Sequence, residues 1–181
     1  MTPNIVKHLA RGLVILTIGG LAACASNAVH YQSAGPYKPS SLRPYEAGGQ
    51  RYEPHVYSHY DEVGMASWYS YPTGTRHTAD GEWFDAGKLT AAHKTLPLPS
   101  FVQVTNLENG RSITVRVNDR GPFVSGRIID LSRAAADKLG FVRQGAVKVR
   151  VKLLGPAPMA DSGEIEMAVV DPAPAEAGAA P

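Results

Sequence analysis

The sequence of 181 residues contains one cysteine, Cys24, so it cannot form an intramolecular disulfide. His93 has no second His or Cys at a spacing typical of a zinc site, and no glycine-rich phosphate loop of standard spacing is present. We therefore predict neither a bound metal nor a cofactor. Long apolar runs are also lacking, since residues 13–18 are too short a run to span a bilayer.

An excess of basic charge is absent as well. The formal net charge of +2 is accounted for by Lys7 and Arg11 near the start of the chain, so it gives no reason to predict nucleic-acid binding. The distribution of charge is uneven. Residues 64–154 contain 13 Lys and Arg against 7 Asp and Glu, whereas residues 155–181 contain 5 acidic and no basic residues. This predicts a basic domain, suited to an anionic partner, with an acidic tail.

The first residues have the layout of a secretory signal. Lys7 and Arg11 form a short basic region, residues 13–18 are apolar, and Leu-Ala-Ala at 21–23 directly precedes Cys24. We predict a signal peptide over residues 1–23.

Leu-Ala-Ala-Cys also resembles the bacterial lipobox, in which the cysteine is diacylated and becomes the mature N-terminus. This predicts a membrane lipid anchor at Cys24, because several acyl chains give stable attachment. The alternative is an ordinary signal peptide with an incidental cysteine. Ala25 and Ser26 follow, and by resemblance to Gram-negative lipoproteins they indicate the outer membrane, with the chain facing the periplasm.

Two flanking segments lack a clear helical or strand pattern. Residues 24–63 contain several prolines and six of the eight tyrosines, which predicts a lipidated tether or linker. Those tyrosines either contact sugar polymer or the domain surface, or are ordinary linker residues. Residues 155–181 are rich in Pro, Ala and acids, which predicts a disordered tail.

The intervening residues 64–154 are predicted to be mainly β. A helix is expected after Ser132, a good N-cap, and before Gly140, which is placed to end it. About six short strands cannot hide their edges in an open sheet of this size, so a small closed barrel is expected. The predicted strands are residues 65–69, 89–93, 101–105, 112–118, 127–130 and 146–154.

Several long motifs carry a family resemblance: ASWYS, TADGEWFD, LTAAHKTLPLPS, VQVTNLENGRSITVRVNDRGPF and GRIIDLSRAAADKLG. Together they resemble the rare lipoprotein A family over nearly all of residues 64–154. The resemblance implies a six-stranded double-psi β-barrel with one or two short helices. It also implies lytic cleavage of septal peptidoglycan, preferably of glycan strands without peptides, leaving 1,6-anhydro-MurNAc ends.

The resemblance also implies a set of catalytic residues. Asp119 matches the key acid of the family's Asn-Asp-Arg-Gly-Pro-Phe motif, Glu82 the acid of Thr-Ala-x-Gly-Glu, and His93 the histidine of Leu-Thr-Ala-Ala-His, while Asp130 matches a supporting Asp. One carboxyl group can act first as acid and then as base in such a reaction if its pKa lies near the working pH.

Each of these residues also has a structural interpretation. Asp119 could stabilise the following turn, and Asp130 could lie near the positive end of the helix that follows. His93 could be a buried, hydrogen-bonded side chain, and we favour an orienting role for it over proton transfer. Glu82 could be a surface loop residue.

Four further residues are candidate substrate contacts. Trp68 and Tyr69 could line the groove, although Trp68 could equally belong to the core. Thr78 lies in the motif that contains Glu82, and Arg120 could pair with the lactyl carboxylate of muramic acid or form a structural ion pair.

Two other functions stay open at this stage. The first is an expansin-like lipoprotein that binds peptidoglycan without turnover, and the second is a structural lipoprotein of the division site.

Overall fold

The structure is a computed structural model, and it describes residues 37–69 and 77–159. The predicted signal peptide, the predicted lipidation site Cys24 and the predicted tail from residue 160 onward lie outside these residues. Within the two described ranges, no helix has the length and hydrophobicity needed to cross a membrane. The elements are a 3₁₀ helix (Pro39–Leu42), β1 (Tyr45–Ala47), β2 (Gln50–Tyr52), β3 (Asp61–Tyr69), β4 (Thr90–His93), β5 (Ser100–Asn106), β6 (Ser112–Asp119), β7 (Arg127–Ser132), α1 (Arg133–Lys138) and β8 (Ala146–Pro156).

Six strands form a closed barrel in the order β3-β7-β4-β6-β5-β8. The pairs β3–β7 and β4–β6 are parallel, and the other four pairs are antiparallel. Closure leaves no strand edge unpaired, which is why so small a sheet is stable. The predicted six-stranded barrel is confirmed. Its interior is filled by fully buried aliphatic side chains, among them Val102, Val104, Val115, Val117, Ile129, Leu131, Val147, Val149 and Val151.

The predicted helix is also confirmed, together with its caps. Ser132 accepts a hydrogen bond from the Ala135 backbone N–H at 3.2 Å. Gly140 follows the helix with a φ of 75°, a left-handed conformation that glycine adopts at little cost. Ala135 and Ala136 are fully buried, so α1 packs its small side chains against the barrel core.

The last strand extends slightly beyond its predicted end. β8 runs to Pro156, so it includes two residues that the sequence assigned to the tail. Pro158 also contacts the barrel, since its carbonyl accepts a hydrogen bond from the Arg116 guanidinium at 2.6 Å.

The segment before the barrel differs from the predicted linker. It contains the 3₁₀ helix and the β1–β2 hairpin, and it is hydrogen-bonded to the barrel. Lys38 N–H donates to the Leu98 carbonyl at 2.9 Å, and the Ser41 hydroxyl bonds to the same residue. Tyr60 is 6% exposed and belongs to the hydrophobic core. Buried tyrosines and backbone hydrogen bonds fix this segment against the barrel. These contacts produce no periodic pattern in the local sequence, so the sequence did not reveal them.

Candidate active site

A β-bulge near the end of β6 sets the direction of the Asp119 side chain. Ala91 pairs with Val117, and the next residue, Ala92, pairs with Asp119, so Asn118 is an extra residue in β6. Strict alternation would point Asp119 to the same side as Val117, which is fully buried in the core. The bulge moves Asp119 onto the face of Ala92, where it is only partly buried.

The two carboxylate oxygens of Asp119 have different surroundings. Oδ1 accepts hydrogen bonds from the backbone N–H groups of Ala79 at 2.9 Å and Arg120 at 2.8 Å. Oδ2 receives no hydrogen bond from residues 37–69 or 77–159. Burial raises the pKa of Asp119 and outweighs the opposing effects of the two N–H donors and the Arg120 charge. Asp119 is therefore a fixed carboxyl group whose pKa lies above its ordinary value and which has one oxygen available.

Asp130, in β7, lies level with Asp119 on the opposite side of β4. Ala92 pairs with Asp119 on one side and with Asp130 on the other, so the two aspartates are about 10 Å apart at Cα, twice the strand spacing. Asp130 Oδ2 lies 3.2 Å from Arg127 Nη2, whereas its buried Oδ1 has no hydrogen-bond partner among the described residues. Burial raises the pKa of Asp130 as well.

Glu82 forms an ion pair with Arg116 instead of presenting a free acid. Its Oε1 accepts from Arg116 Nε at 2.9 Å and from Arg116 Nη2, and its Oε2 accepts from Asn118 Nδ2 at 2.7 Å. The Arg116 side chain is 5% exposed. Burial alone would raise the pKa of Glu82, but these donors outweigh it and lower the pKa. Glu82 is thus an ionised partner of a buried arginine.

Asp80 and Thr78 lie next to Glu82 and are hydrogen-bonded to each other. Asp80 is 8% exposed, and its Oδ1 accepts from the Thr78 hydroxyl at 2.8 Å and from Glu82 N–H at 3.2 Å. Burial raises the pKa of Asp80 to about 6. Thr78 is 5% exposed, and its hydroxyl is directed at Asp80. Sequence reasoning missed Asp80 as a site residue, because nothing in its local pattern shows that it is buried.

His93 is buried, and its ring is hydrogen-bonded to the turn that follows β4. Its Nδ1 accepts from the N–H groups of Thr95 and Leu96, and its Nε2 lies 2.9 Å from the Tyr60 hydroxyl. Because Nδ1 only accepts, Nε2 carries the proton and donates it to Tyr60. Burial, with the nearby charge of Arg120, lowers the pKa of His93 to about 3. In the part of the chain that the structure describes, no three His, Cys, Asp or Glu side chains are grouped to hold a metal ion.

The Arg120 guanidinium binds backbone carbonyl groups. Nη1 donates to His93 O at 3.1 Å and to Leu96 O at 2.7 Å, while Nη2 donates to Ser41 O at 2.6 Å. These bonds join β6, the turn after β4 and the N-terminal segment. They give Arg120 a structural role through carbonyl groups, in place of the ion pair that we considered.

The predicted aromatic contacts, Trp68 and Tyr69, both pack against neighbouring residues. Trp68 Nε1 donates to Val142 O at 3.2 Å, and the side chain packs on the hydrophobic core. The Tyr69 ring lies 5.1 Å from that of Phe84. The contacts of Trp68 agree with the alternative interpretation from the sequence, in which Trp68 belongs to the hydrophobic core.

Trp83 is an exposed aromatic residue that sequence reasoning did not single out. It is 63% exposed, and its ring lies 4.2 Å from that of His77. It directly follows Glu82 in the loop whose Ala79 N–H binds Asp119. The signal that could have found it is its place directly after the Thr-Ala-x-Gly-Glu motif.

The comparison with protein families agrees with this geometry. Residues 61–151 match the family model described as lytic transglycolase. The chain belongs to this family. The double-psi β-barrel that the sequence predicted is thereby confirmed, as is the resemblance to rare lipoprotein A.

Curated relatives carry the name endolytic peptidoglycan transglycosylase RlpA. The relative from Neisseria meningitidis is 49% identical over 130 residues, which are 70% of this chain and 54% of the relative. That from Pseudomonas aeruginosa is 54% identical over 114 residues, covering 62% of this chain and 33% of the relative. The relative from Vibrio cholerae is 40% identical over 164 residues, which cover 78% of this chain and 62% of the relative. The chain thus spans between a third and two thirds of these relatives.

Proposed function

We propose that the chain is an endolytic lytic transglycosylase that cleaves the MurNAc–GlcNAc bonds of peptidoglycan and leaves 1,6-anhydro-MurNAc ends. The observation that supports this most strongly is the state of Asp119. One of its oxygens is held by two backbone N–H groups, the other receives no hydrogen bond within the described ranges, and burial raises its pKa. These are the properties that a general acid requires.

The reaction can proceed on this one carboxyl group. Protonated Asp119 donates its proton to the glycosidic oxygen as the bond from that oxygen to MurNAc C1 breaks. The C6 hydroxyl of the same MurNAc then attacks C1, and its proton passes to the Asp119 carboxylate. Atoms and charge balance without an external water, and Asp119 ends the cycle protonated as it began.

The other predicted site residues support Asp119 and do not transfer protons. Glu82 fixes the 78–82 loop through its ion pair with Arg116, and this loop supplies one donor to Asp119. His93 and Arg120 hold the turn after β4 against β6. Asp130 adds a second carboxyl group in the same row as Asp119, where it would stabilise positive charge on the sugar.

The substrate is proposed to be a glycan strand without peptides. The lactyl carboxylates of such strands make them anionic, and residues 64–154 contain 13 basic against 7 acidic residues. The curated relatives are named for activity on peptidoglycan, although the chain spans only part of their length. Trp83 provides an exposed aromatic face beside the site, which suits the face of a sugar ring.

We also propose how the chain is attached and where it lies. Diacylated Cys24 would anchor the chain to the outer membrane, with the barrel facing the periplasm and its glycan. A Cys24→Ser variant should move from the membrane fraction to the soluble fraction of the cell envelope. If the variant stays with the membrane, lipidation at Cys24 does not provide the attachment.

The activity is tested with the purified full chain in detergent. Peptide-free glycan strands are incubated with the wild-type chain, Asp119→Asn, and Asp137→Asn as a matched control on the exposed side of α1, and the ends are identified by mass spectrometry. Anhydro-muramyl ends from the wild type and the control, but not from Asp119→Asn, are expected. Reducing ends would indicate hydrolysis. Glycan retention without any cleavage would indicate an expansin-like binder.

A further inference from the structure

An aromatic cluster beside Asp119 is assembled from two distant parts of the chain. Tyr45 and Tyr52, from the β1–β2 hairpin, are stacked with ring centroids 5.3 Å apart and an interplanar angle of 22°. Phe123 lies 6.2 Å from Tyr45 and 5.6 Å from Tyr52. Phe123 is 46% exposed, so part of the cluster faces solvent, and it follows Asp119 closely in the chain.

Polar contacts fix this cluster relative to Asp119. The Tyr45 hydroxyl donates to Lys94 O at 2.8 Å, and the Arg120 guanidinium lies over the Tyr45 ring at 5.7 Å. The N–H of Arg120 in turn donates to Asp119 Oδ1. Since Arg120 contacts both groups, the cluster and the carboxyl group are held in one geometry before any ligand binds.

We propose that the exposed ring of Phe123, supported by Tyr45 and Tyr52, forms a subsite for one sugar ring of the glycan strand. Tyr52 is only 8% exposed, so it supports the platform and does not contact the sugar. An apolar aromatic face next to a catalytic carboxyl group suits the C–H face of a pyranose. This inference rests on the proposed function, because that function makes the glycan the occupant of the surface.

The hairpin is not part of the family match. That match covers residues 61–151, whereas β1 and β2 lie before it. The subsite would therefore be formed jointly by the common barrel and an N-terminal segment. Two tyrosines of the predicted linker, Tyr45 and Tyr52, would then contribute to binding by supporting Phe123.

Binding is measured separately from cleavage, in the full chain with the Asp119→Asn substitution, by titration calorimetry with soluble peptide-free glycan fragments. Phe123→Ala is expected to raise the Kd roughly two- to tenfold, the range of a single aromatic contact. Phe123→Tyr should stay within twofold of the parent. Val124→Ala is the matched control, because Val124 is adjacent and 53% exposed but does not belong to the cluster.

Phe123→Leu keeps apolar volume and removes the aromatic ring, so it separates stacking from packing. We expect it to weaken binding as Phe123→Ala does, at an unchanged melting temperature. An unchanged Kd for Phe123→Leu would overturn the subsite, as would an equal loss for Val124→Ala.

The same experiments distinguish failure of the subsite from failure of the proposed function. If the chain with intact Asp119 cleaves glycan but Phe123→Leu binds as its parent does, the subsite is wrong and the function stands. If the chain cleaves nothing but Phe123→Leu weakens binding, the subsite stands and the cleavage reaction is wrong.

Discussion

Asp119 and Asp130 lie on either side of Ala92 in one row across three strands. Ala92 pairs with both, through a parallel ladder to β6 and an antiparallel ladder to β7. Burial raises the pKa of both carboxyl groups, yet their surroundings differ. Asp119 is held by two backbone N–H groups, whereas Asp130 is paired with Arg127. Because Asp130 forms an ion pair with Arg127, Asp119 is the carboxyl group better suited to give up a proton to a substrate.

Loss of Glu82 is expected to act through stability. Glu82→Ala leaves the buried Arg116 without its main partner, which should lower the free energy of unfolding by about 3–5 kcal/mol. Chemical denaturation measures this change. Glu108→Ala, at an exposed position of the β5–β6 turn, is the matched control and should change it little. A fully stable Glu82→Ala chain without activity would instead indicate a direct catalytic role.

Asp80 should make stability depend on pH in a specific window. Its pKa rises to about 6 on folding, so the unfolded chain releases this proton at a lower pH than the folded chain does. Asp80 therefore lowers the free energy of unfolding as the pH rises from about 4 to about 6. In Asp80→Asn this contribution is absent.

We therefore expect the stability of Asp80→Asn, relative to wild type, to increase by about 1–2 kcal/mol across that window. Denaturation curves at a series of pH values measure the difference. Leu107→Ala, at an exposed position of the β5–β6 turn and without a titratable side chain, is the control and should give a constant difference. A constant difference for Asp80→Asn would contradict the raised pKa.

The contact between His93 and Tyr60 should be structural. Tyr60→Phe removes the acceptor of the buried His93 Nε2–H, so the free energy of unfolding should fall by about 1–3 kcal/mol. Cleavage per folded molecule should be unchanged. Tyr57→Phe, which removes a partly buried bond to Thr95, should cost less. Lost cleavage in a stable Tyr60→Phe chain would show that His93 takes part in the reaction.

His93 should also contribute to acid sensitivity. Because its pKa falls to about 3 in the folded chain, the unfolded chain binds a proton there first as the pH drops. Its contribution to stability is therefore present at neutral pH and is lost progressively below about pH 6.5. His93→Asn retains an acceptor for the two turn N–H groups and should show a weaker loss of stability between pH 6.5 and pH 4. An equally steep loss would contradict this assignment.

Trp83 should report directly on glycan binding. The sequence contains two tryptophans, of which Trp68 is packed on the core and Trp83 is 63% exposed. Glycan fragments should change the fluorescence of the wild-type chain, and this change should be lost in Trp83→Phe. Trp83→Ala should weaken binding roughly two- to tenfold without loss of stability. Leu107→Ala, 46% exposed in the β5–β6 turn, should bind as the wild type does, and equal losses in both variants would contradict a sugar contact at Trp83.

The strands and the helix could be predicted because their signals are local. In β8, apolar and charged residues alternate, and the apolar Val147, Val149 and Val151 are fully buried as this pattern predicts. The caps of α1 lie at Ser132 and Gly140 as predicted. Gly110, in the turn between β5 and β6, has a φ of 74°, which glycine adopts at little cost. Each of these features depends on residues that are close neighbours in the chain.

The site depends on contacts that no local pattern contains. Arg116 occupies a position that alternation assigns to the polar face, yet it is buried because Glu82, far away in the chain, neutralises it. Arg120 resembled a ligand for carboxylates, but carbonyl groups brought together by the barrel take up its donors.

The sequence by itself thus determined the closed barrel, its capped helix and the motif that contains the acid, because periodicity, capping and turn chemistry act between near neighbours. Tertiary structure alone decided that Asp119 leaves the core. Alternation along β6 would have buried it with Val117, and the bulge at Asn118, which exists only through pairing with β4, turns it outward. Pairing between distant strands thus decides which side of the barrel this carboxyl group faces.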